Sequence, residues 1–147
     1  MTGLLIVLVV LVALVVIGVP IRLIVRAKVA ADTEAVGRWS RSLRERLLIP
    51  PECITFSRAG RFGVTHTSAV VALTVRHVLV KPLFETRVPI PLAEVAGVSE
   101  AKRFRGSCHA TGSTYVVLRL RDGKEVALLA REPRRWSTAL RRRLETR

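Results

Sequence analysis

The chain has 147 residues and a formal net charge of +14, from 25 Lys and Arg against 11 Asp and Glu. Two cysteines are too few for a disulfide framework, and seven aromatic side chains leave little surface for stacking nucleic-acid bases. Arg outnumbers Lys 21 to 4, a usage typical of GC-rich bacterial genomes.

The first predicted element is an apolar segment over residues 3–21, which contains no charged side chain. Fifteen of the eighteen residues 4–21 are Leu, Ile or Val. Nineteen helical residues at about 1.5 Å each approach the roughly 30 Å hydrocarbon core of a bilayer. Insertion scales make each such side chain favourable by roughly 0.3–0.6 kcal/mol. We therefore predict a transmembrane anchor over residues 1–24.

A cleaved signal peptide is the main alternative, with Val29-Ala30-Ala31 as its cleavage site. Signal peptides have a basic n-region, a shorter apolar segment and a small-residue cleavage site. Here the sequence starts Met1-Thr2, and Arg22, Arg26 and Lys28 precede the cleavage candidate. These features favour a retained anchor. A buried core helix is the third interpretation, although 147 residues offer few apolar neighbours to surround it.

The same three basic residues predict the orientation. Basic side chains next to a membrane span stay on the cytoplasmic side. Arg22, Arg26 and Lys28 flank the C-terminal end of the span, and no basic side chain flanks the N-terminal end. We predict a single-pass cell-membrane protein with its N-terminus outside and its domain in the cytoplasm, where Cys53 and Cys108 would be reduced.

Residues 25–50 are predicted to form a juxtamembrane basic amphipathic helix. Asp32 or Thr33 could cap its start, and Pro50-Pro51 would end it. Its apolar positions recur at three and four residues with arginines between them: Val36, Trp39, Leu43 and Leu47. Two placements are open. The apolar stripe packs on the following domain, or Trp39 and the arginines lie at the level of the lipid headgroups.

Residues 51–147 change to the two-residue period of strands and predict a mainly-β (α+β) domain. Its strands are predicted over residues 53–58, 62–65, 69–80 (as one strand or two), 84–90, 98–104, 115–120 and 125–129, with a turn at Ala59-Gly60. Residues 92–95 are predicted to form a short helical turn, and residues 106–113 are predicted to form a polar, flexible loop. Asp122-Gly123 between two apolar runs is a strong hairpin signal.

A C-terminal amphipathic helix follows the last predicted strand. Pro133 suits its first position, and Trp136, Leu140 and Leu144 are spaced four apart on one face. This face should cover an open end or face of the sheet, with Trp136 as its core anchor.

The sequence resembles the bacterial branch of the pleckstrin-homology-like superfamily over residues 52–147. The resemblance lies in the strand-and-helix order, the segment Arg87–Val98 and the Asp122-Gly123 hairpin. It implies about seven antiparallel strands in a partly open barrel capped by the C-terminal helix. It also implies a binding or assembly role, often beside a membrane span. No lipid-binding residues carry over, because the first hairpin lacks a Lys-x-Arg signature.

The positive charge is concentrated, which favours an acidic partner. Residues 22–46 carry a net +4 and residues 131–147 a net +5. We predict that the contacts are made by Arg103, Arg105, Arg141, Arg142 and Arg143. The partner would be anionic lipid headgroups, at about 1 kcal/mol per basic side chain, or an acidic protein. The plain alternative is that this charge serves solubility and topology. Nucleic acid is a second hypothesis, although no recognised nucleic-acid-binding motif is present.

No motif for catalysis, a cofactor or a metal is found. The soft ligands Cys53, Cys108, His66, His77 and His109 lack metal-site spacing. Ser107 and Ser113, beside Cys108-His109, lack a nucleophile-elbow sequence. We therefore predict a non-catalytic, membrane-anchored binding or scaffolding module that uses neither cofactor nor metal and takes no small-molecule substrate. A small enzyme is the third and least favoured hypothesis.

Overall fold

A computed structural model describes residues 2–60, 63–108 and 112–146. Its first element, α1 (Thr2–Ser42), is one continuous helix of 41 residues with Pro20 inside it. Every Leu, Ile and Val from Leu4 to Val25 is exposed, by 38% or more. Within the described chain, α1 is the one helix long and apolar enough to cross a membrane.

The remaining elements are nine strands, a 3₁₀ turn at Leu92–Glu94 and a second helix. The strands are β1 (Leu47–Gly60), β2 (Gly63–Thr74), β3 (His77–Pro82), β4 (Val88–Pro91), β5 (Val95–Ala101), β6 (Arg103–Phe104), β7 (Ser107–Cys108), β8 (Tyr115–Leu120) and β9 (Glu125–Leu129). The second helix is α2 (Pro133–Glu145).

Seven strands form one antiparallel sheet in the order β4-β3-β2-β1-β9-β8-β5. The outermost strands, β4 and β5, are not paired with each other among the described strands, so the barrel is partly open. β6 and β7 form a separate hairpin between β5 and β8. This α+β layout, with a terminal helix against the sheet, confirms the predicted fold class.

The main core lies between the inner face of the sheet and α2. Trp136 and Leu140 of α2 are fully buried there with Val116, Leu118 and Leu128. The indole N–H of Trp136 donates a hydrogen bond to Glu52 of β1. The predicted apolar stripe of the terminal helix therefore faces the sheet, as expected.

The long apolar run over residues 69–80 is buried on both faces of the sheet. Val71 and Leu73 point into the main core, while Val70 and Ala72 lie in a second cluster under α1. A strand covered on both faces has a continuous apolar sequence instead of alternation. The run divides into β2 and β3 at residues 75–76.

The outer face of β8 and β9 is covered by the β6–β7 hairpin. Phe104 is buried there with Tyr115, their ring centroids 6.3 Å apart, and with Val117. Arg105 (φ 49°) and Gly106 (φ 85°) make the tight turn in the left-handed region. Part of the predicted flexible loop is thus an ordered hairpin, and His109 lies outside the described residues.

Several predicted boundaries differ from the structure. The strand predicted over residues 98–104 is observed as β5 (Val95–Ala101) and, in the separate hairpin, β6 (Arg103–Phe104). The helix ends at Ser42, and β1 already begins at Leu47 and contains Pro50-Pro51. The strand predicted over residues 84–90 is observed at Val88–Pro91. The turn predicted at Ala59-Gly60 is extended, since β1 continues to Gly60; Phe62 lies outside the described residues.

Candidate functional site

The C-terminal half of α1 packs on the outer face of β2 and β3. Val36 is 1% and Trp39 9% exposed, and they share a cluster with Ala72, Leu79 and Leu83. The structure therefore places the apolar stripe on the domain, so that the Trp39 ring is not free to lie among lipid headgroups. Leu43, in contrast, is exposed just beyond the helix end.

Arg87 connects α1 to the start of β4. Its guanidinium carbon lies 5.0 Å from the centroid of the Trp39 ring, a cation–π contact of about 0.5–1 kcal/mol at a partly exposed position. A shallow groove of about 220 Å³ beside this contact is lined by Ala35, Val36, Trp39, Lys81 and Arg87.

A polar cluster holds the connection between α1 and β1. Glu45 Oε1 lies 2.8 Å from His77 Nδ1, and the Thr74 hydroxyl donates to the other Glu45 oxygen. Burial opposes ionisation of Glu45, but the bonds from Thr74 and His77 and the positive charge of His77 and Arg76 together lower its pKa. The ionised carboxylate thus fastens the end of α1 to the β2–β3 turn.

The three residues predicted to orient the span lie on α1. Arg22 and Arg26 are exposed. Lys28 Nζ donates a 3.0 Å hydrogen bond to Asp32 Oδ1, and the Asp32 side chain is 6% exposed. The second oxygen of Asp32 is buried without a hydrogen-bond partner among the described groups. Lys28 therefore also neutralises a carboxylate held between α1 and the domain.

The arginines predicted for an anionic partner fall into two groups. Arg103 is exposed on β6, and Arg105 Nε donates a 3.0 Å bond to Glu125. Arg141 and Arg142 are exposed on α2, and Arg143 is half-buried. The hairpin covers the outer face of the sheet and α2 the inner face. The sheet thus separates the two groups.

Arg142 and Arg143 come together at the C-terminal end of α2. They line a depression of about 310 Å³ with Leu48, Ala139 and Thr146. Leu48 follows Leu47, which pairs with Thr74 at the β2–β3 end of the sheet. The Arg142–Arg143 pair therefore lies near the end of the domain where α1 terminates.

The Cys and His side chains of the described residues do not converge on a metal site. No group of three or more His, Cys, Asp or Glu among the described residues could hold a metal. Cys53 and Cys108 are free cysteines on the protein surface. Partial burial of the Cys53 thiol raises its pKa.

One Ser–His pair was not predicted from the sequence. Ser57 Oγ lies 2.7 Å from His66 Nδ1, across the β1–β2 ladder. This distance suits a base next to a nucleophile. Ser57 is fully buried, however, so its hydroxyl has no access to a substrate in this conformation. The pairing depends on strand register, which no local signal in the sequence marks.

No protein-family model and no curated protein matches the chain. Among solved structures, the chain is similar to the C-terminal domain of an unknown protein from Leishmania infantum, with a TM-score of 0.51 and 13% sequence identity. The match covers 75% of this chain and 95% of that one. At this identity the similarity concerns the fold alone.

Proposed function

We propose that the protein is a membrane-anchored, non-catalytic binding or scaffolding module at the cytoplasmic membrane face. The observation that carries the proposal is the continuity of α1, which joins an exposed apolar segment to a helix packed on the domain. Cleavage after Ala31 would cut inside this helix, between the partly buried Val29 and the buried Val36. Retention of the segment as an anchor is therefore favoured over removal as a signal peptide.

A pleckstrin-homology-like assignment accompanies this proposal. It is supported by seven antiparallel strands in one partly open sheet, followed by the α2 helix against the inner face. The β6–β7 hairpin would be an insertion between β5 and β8. Because a fold alone does not specify a function, the surface of the domain determines its partner.

The placement of α2 favours an acidic protein over lipid as the partner of its arginines. Arg142 and Arg143 lie near Leu48, at the β2–β3 end of the sheet. α1 runs back from this end toward its apolar segment. The Arg142–Arg143 pair would consequently point away from the bilayer in which α1 is anchored.

Vesicle flotation and DNA retention test the choice of partner. Residues 31–147, without the apolar segment, are mixed with neutral vesicles, with anionic vesicles and with immobilised DNA. Capture of a partner by the full chain in detergent is measured in parallel, with Arg141, Arg142 and Arg143 changed to Ala. The control changes Arg134 and Arg135, which are exposed on the first turn of the same helix.

We expect an acidic protein to be captured by the native chain and by the control, and lost from the triple variant. Strong binding to anionic vesicles that the triple substitution abolishes would assign these arginines to lipid instead. Retention on DNA without vesicle binding would overturn the proposal in favour of nucleic acid.

A further inference from the structure

Phe84 is an apolar side chain for which the fold provides no cover. Its side chain is 81% exposed. Among the described residues after Leu43, all other large apolar side chains are buried or half-buried. A phenyl ring exposed to water loses the free energy that burial would provide, which favours a contact from outside the described fold.

The loop that carries Phe84 is held in place by polar contacts. Lys81 Nζ donates to the carbonyl oxygens of Pro82 and Glu85, at 2.8 and 2.9 Å. Arg58 of β1 donates a 2.8 Å hydrogen bond to the Glu85 carboxylate. These contacts tie the β3–β4 loop to β1 and β3, so the exposed ring is presented by an ordered turn.

The β3–β4 loop lies at the end of the sheet from which α1 departs toward its apolar segment. The connection after α1 lies at the opposite end, where Val75 N donates to Arg46 O at 3.2 Å. From there α1 runs back over β2 and β3, and Val29 packs in the same cluster as Leu83. The thirteen residue steps from Val29 to Ser42 measure about 20 Å, close to the ~17 Å length of β3.

With α1 running along β3, these lengths bring Phe84 to about the level of Val29, close to the end of the apolar segment. The continuous exposure of apolar side chains ends at Val25, four residues or about 6 Å of helix before Val29. The headgroup layer on each side of a bilayer is roughly 5–8 Å thick. We propose that Phe84 inserts into the headgroup layer beside α1, as a second membrane contact that sets the orientation of the domain.

This proposal rests on the proposed function only in requiring that α1 spans a bilayer. The contact is apolar in character, because the described cations around the β3–β4 loop are engaged within the protein. Arg58 is paired with Glu85, Lys81 with loop carbonyls, and Arg87 with the Trp39 ring. Insertion of Phe84 should consequently occur in a purely zwitterionic bilayer and change little with salt.

Fluorescence quenching by spin-labelled lipids tests the contact in the full chain. Cys53 and Cys108 are changed to Ser, and single variants Phe84→Cys, Thr138→Cys and Leu14→Cys are labelled with an environment-sensitive dye. Thr138 is exposed on α2 and serves as the matched control; Leu14 reports on the span. Each protein is reconstituted as one chain per phosphatidylcholine nanodisc, with spin labels at shallow or deep lipid positions.

We expect blue-shifted emission at position 84 with quenching by the shallow spin label, unshifted emission at position 138, and quenching by the deep label at position 14. Quenching at 14 without quenching at 84 would refute the Phe84 contact and leave the anchor intact. Absence of quenching at 14 would refute the anchor and with it both proposals. A blue shift at 84 without lipid quenching would mean that protein covers this position, which also overturns the proposal.

Discussion

Trp136 and Glu45 show how single side chains connect elements that are distant in the sequence. Trp136 is fully buried and donates its indole N–H to Glu52, while the neighbouring Ser137 hydroxyl donates to Glu100. α2 is thereby tied to both β1 and β5. Glu45 plays the corresponding role at the other helix, where it accepts hydrogen bonds from the β2–β3 end of the sheet.

Replacing Trp136 with Ala should lower the free energy of unfolding by about 3–5 kcal/mol, because it leaves a large cavity in the core. This is a large part of the roughly 5–15 kcal/mol of a typical domain. Thermal unfolding of the full chain in mild detergent, followed by near-ultraviolet circular dichroism, measures the loss. Leu43→Ala, at an exposed position, is the control and should change little. An unaltered melting temperature in the Trp136 variant would contradict its role as core anchor.

Replacing Glu45 with Gln should destabilise the protein by about 1–2 kcal/mol at neutral pH, because a buried charge-assisted hydrogen-bond network is weakened. The pKa of Glu45 is lowered from its ordinary value of 4.5 in the folded chain. Its ionised form therefore adds stability above about pH 4.5, and this gain is lost as the pH falls through the folded pKa. The difference between native and variant stability should shrink accordingly.

Urea unfolding at a series of pH values from neutral to acid measures this difference. Glu34→Gln is the matched control, since Glu34 is an exposed α1 carboxylate 3.3 Å from Arg38. The control should show little change at any pH. A Glu45 variant whose destabilisation is the same at acid and neutral pH would rule out the ionised carboxylate as the source.

α1 contributes both to the apolar segment and to the packed domain. Its first half is exposed and apolar, and its second half is fixed to the sheet by Val36 and Trp39. The helix ends at Ser42, well before Pro50-Pro51. Those prolines are tolerated in β1 because the β1–β2 register shifts on both sides of Ile49 and β9 pairs only with residues 55–58.

Replacing Trp39 with Ala should loosen the domain from α1, because both the apolar contact and the Arg87 stacking are lost. Spin labels at positions 34 and 138, in a chain without its two native cysteines, report the distance between α1 and α2. The native distribution should be narrow and that of the Trp39 variant broad. Leu43→Ala should retain the narrow distribution. A narrow distribution in both variants would show that other contacts suffice to fix α1.

Over the whole molecule, charge and apolar surface are segregated. The apolar segment carries no charge, and the +14 charge lies entirely in the chain after Ile21. If the Phe84 loop faces the bilayer, then Arg142 and Arg143, near Leu48, face the opposite direction. The domain would present its lipid contact and its arginine pair on different ends.

Neutralising Arg22, Arg26 and Lys28 together, each changed to Gln, should invert or mix the orientation of the span, because cytoplasmic retention depends on basic residues within about 15–20 residues of its end. C-terminal alkaline phosphatase and green fluorescent protein fusions report the side on which the domain lies. Changing Arg134, Arg135 and Arg141 to Gln removes equal charge far from the span and should leave the orientation native. An active alkaline phosphatase fusion of the native chain would show that the domain lies outside.

Much of the architecture could be predicted from short stretches of sequence. The apolar length of residues 3–21, the alternation of the strands, the Asp122-Gly123 hairpin and the stripe of the terminal helix are local properties. The structure contains each of these elements close to its expected position. The candidate arginines could be chosen by their charge, but their division into two groups on opposite faces of the sheet could not be predicted.

The remaining features depend on tertiary structure, because they require contacts between residues that are distant in the sequence. Trp39 could have faced lipid or the domain, and only the apolar outer face of β2 and β3 decided for the domain. Helix α1 ends early because the segment after it gains a strand partner in β2. The sequence pattern predicts Phe84 as a strand residue, yet the β3–β4 turn leaves its side chain exposed. Local pattern specifies which segments are apolar, whereas long-range pairing decides which neighbour covers each of them and which side chain is left uncovered.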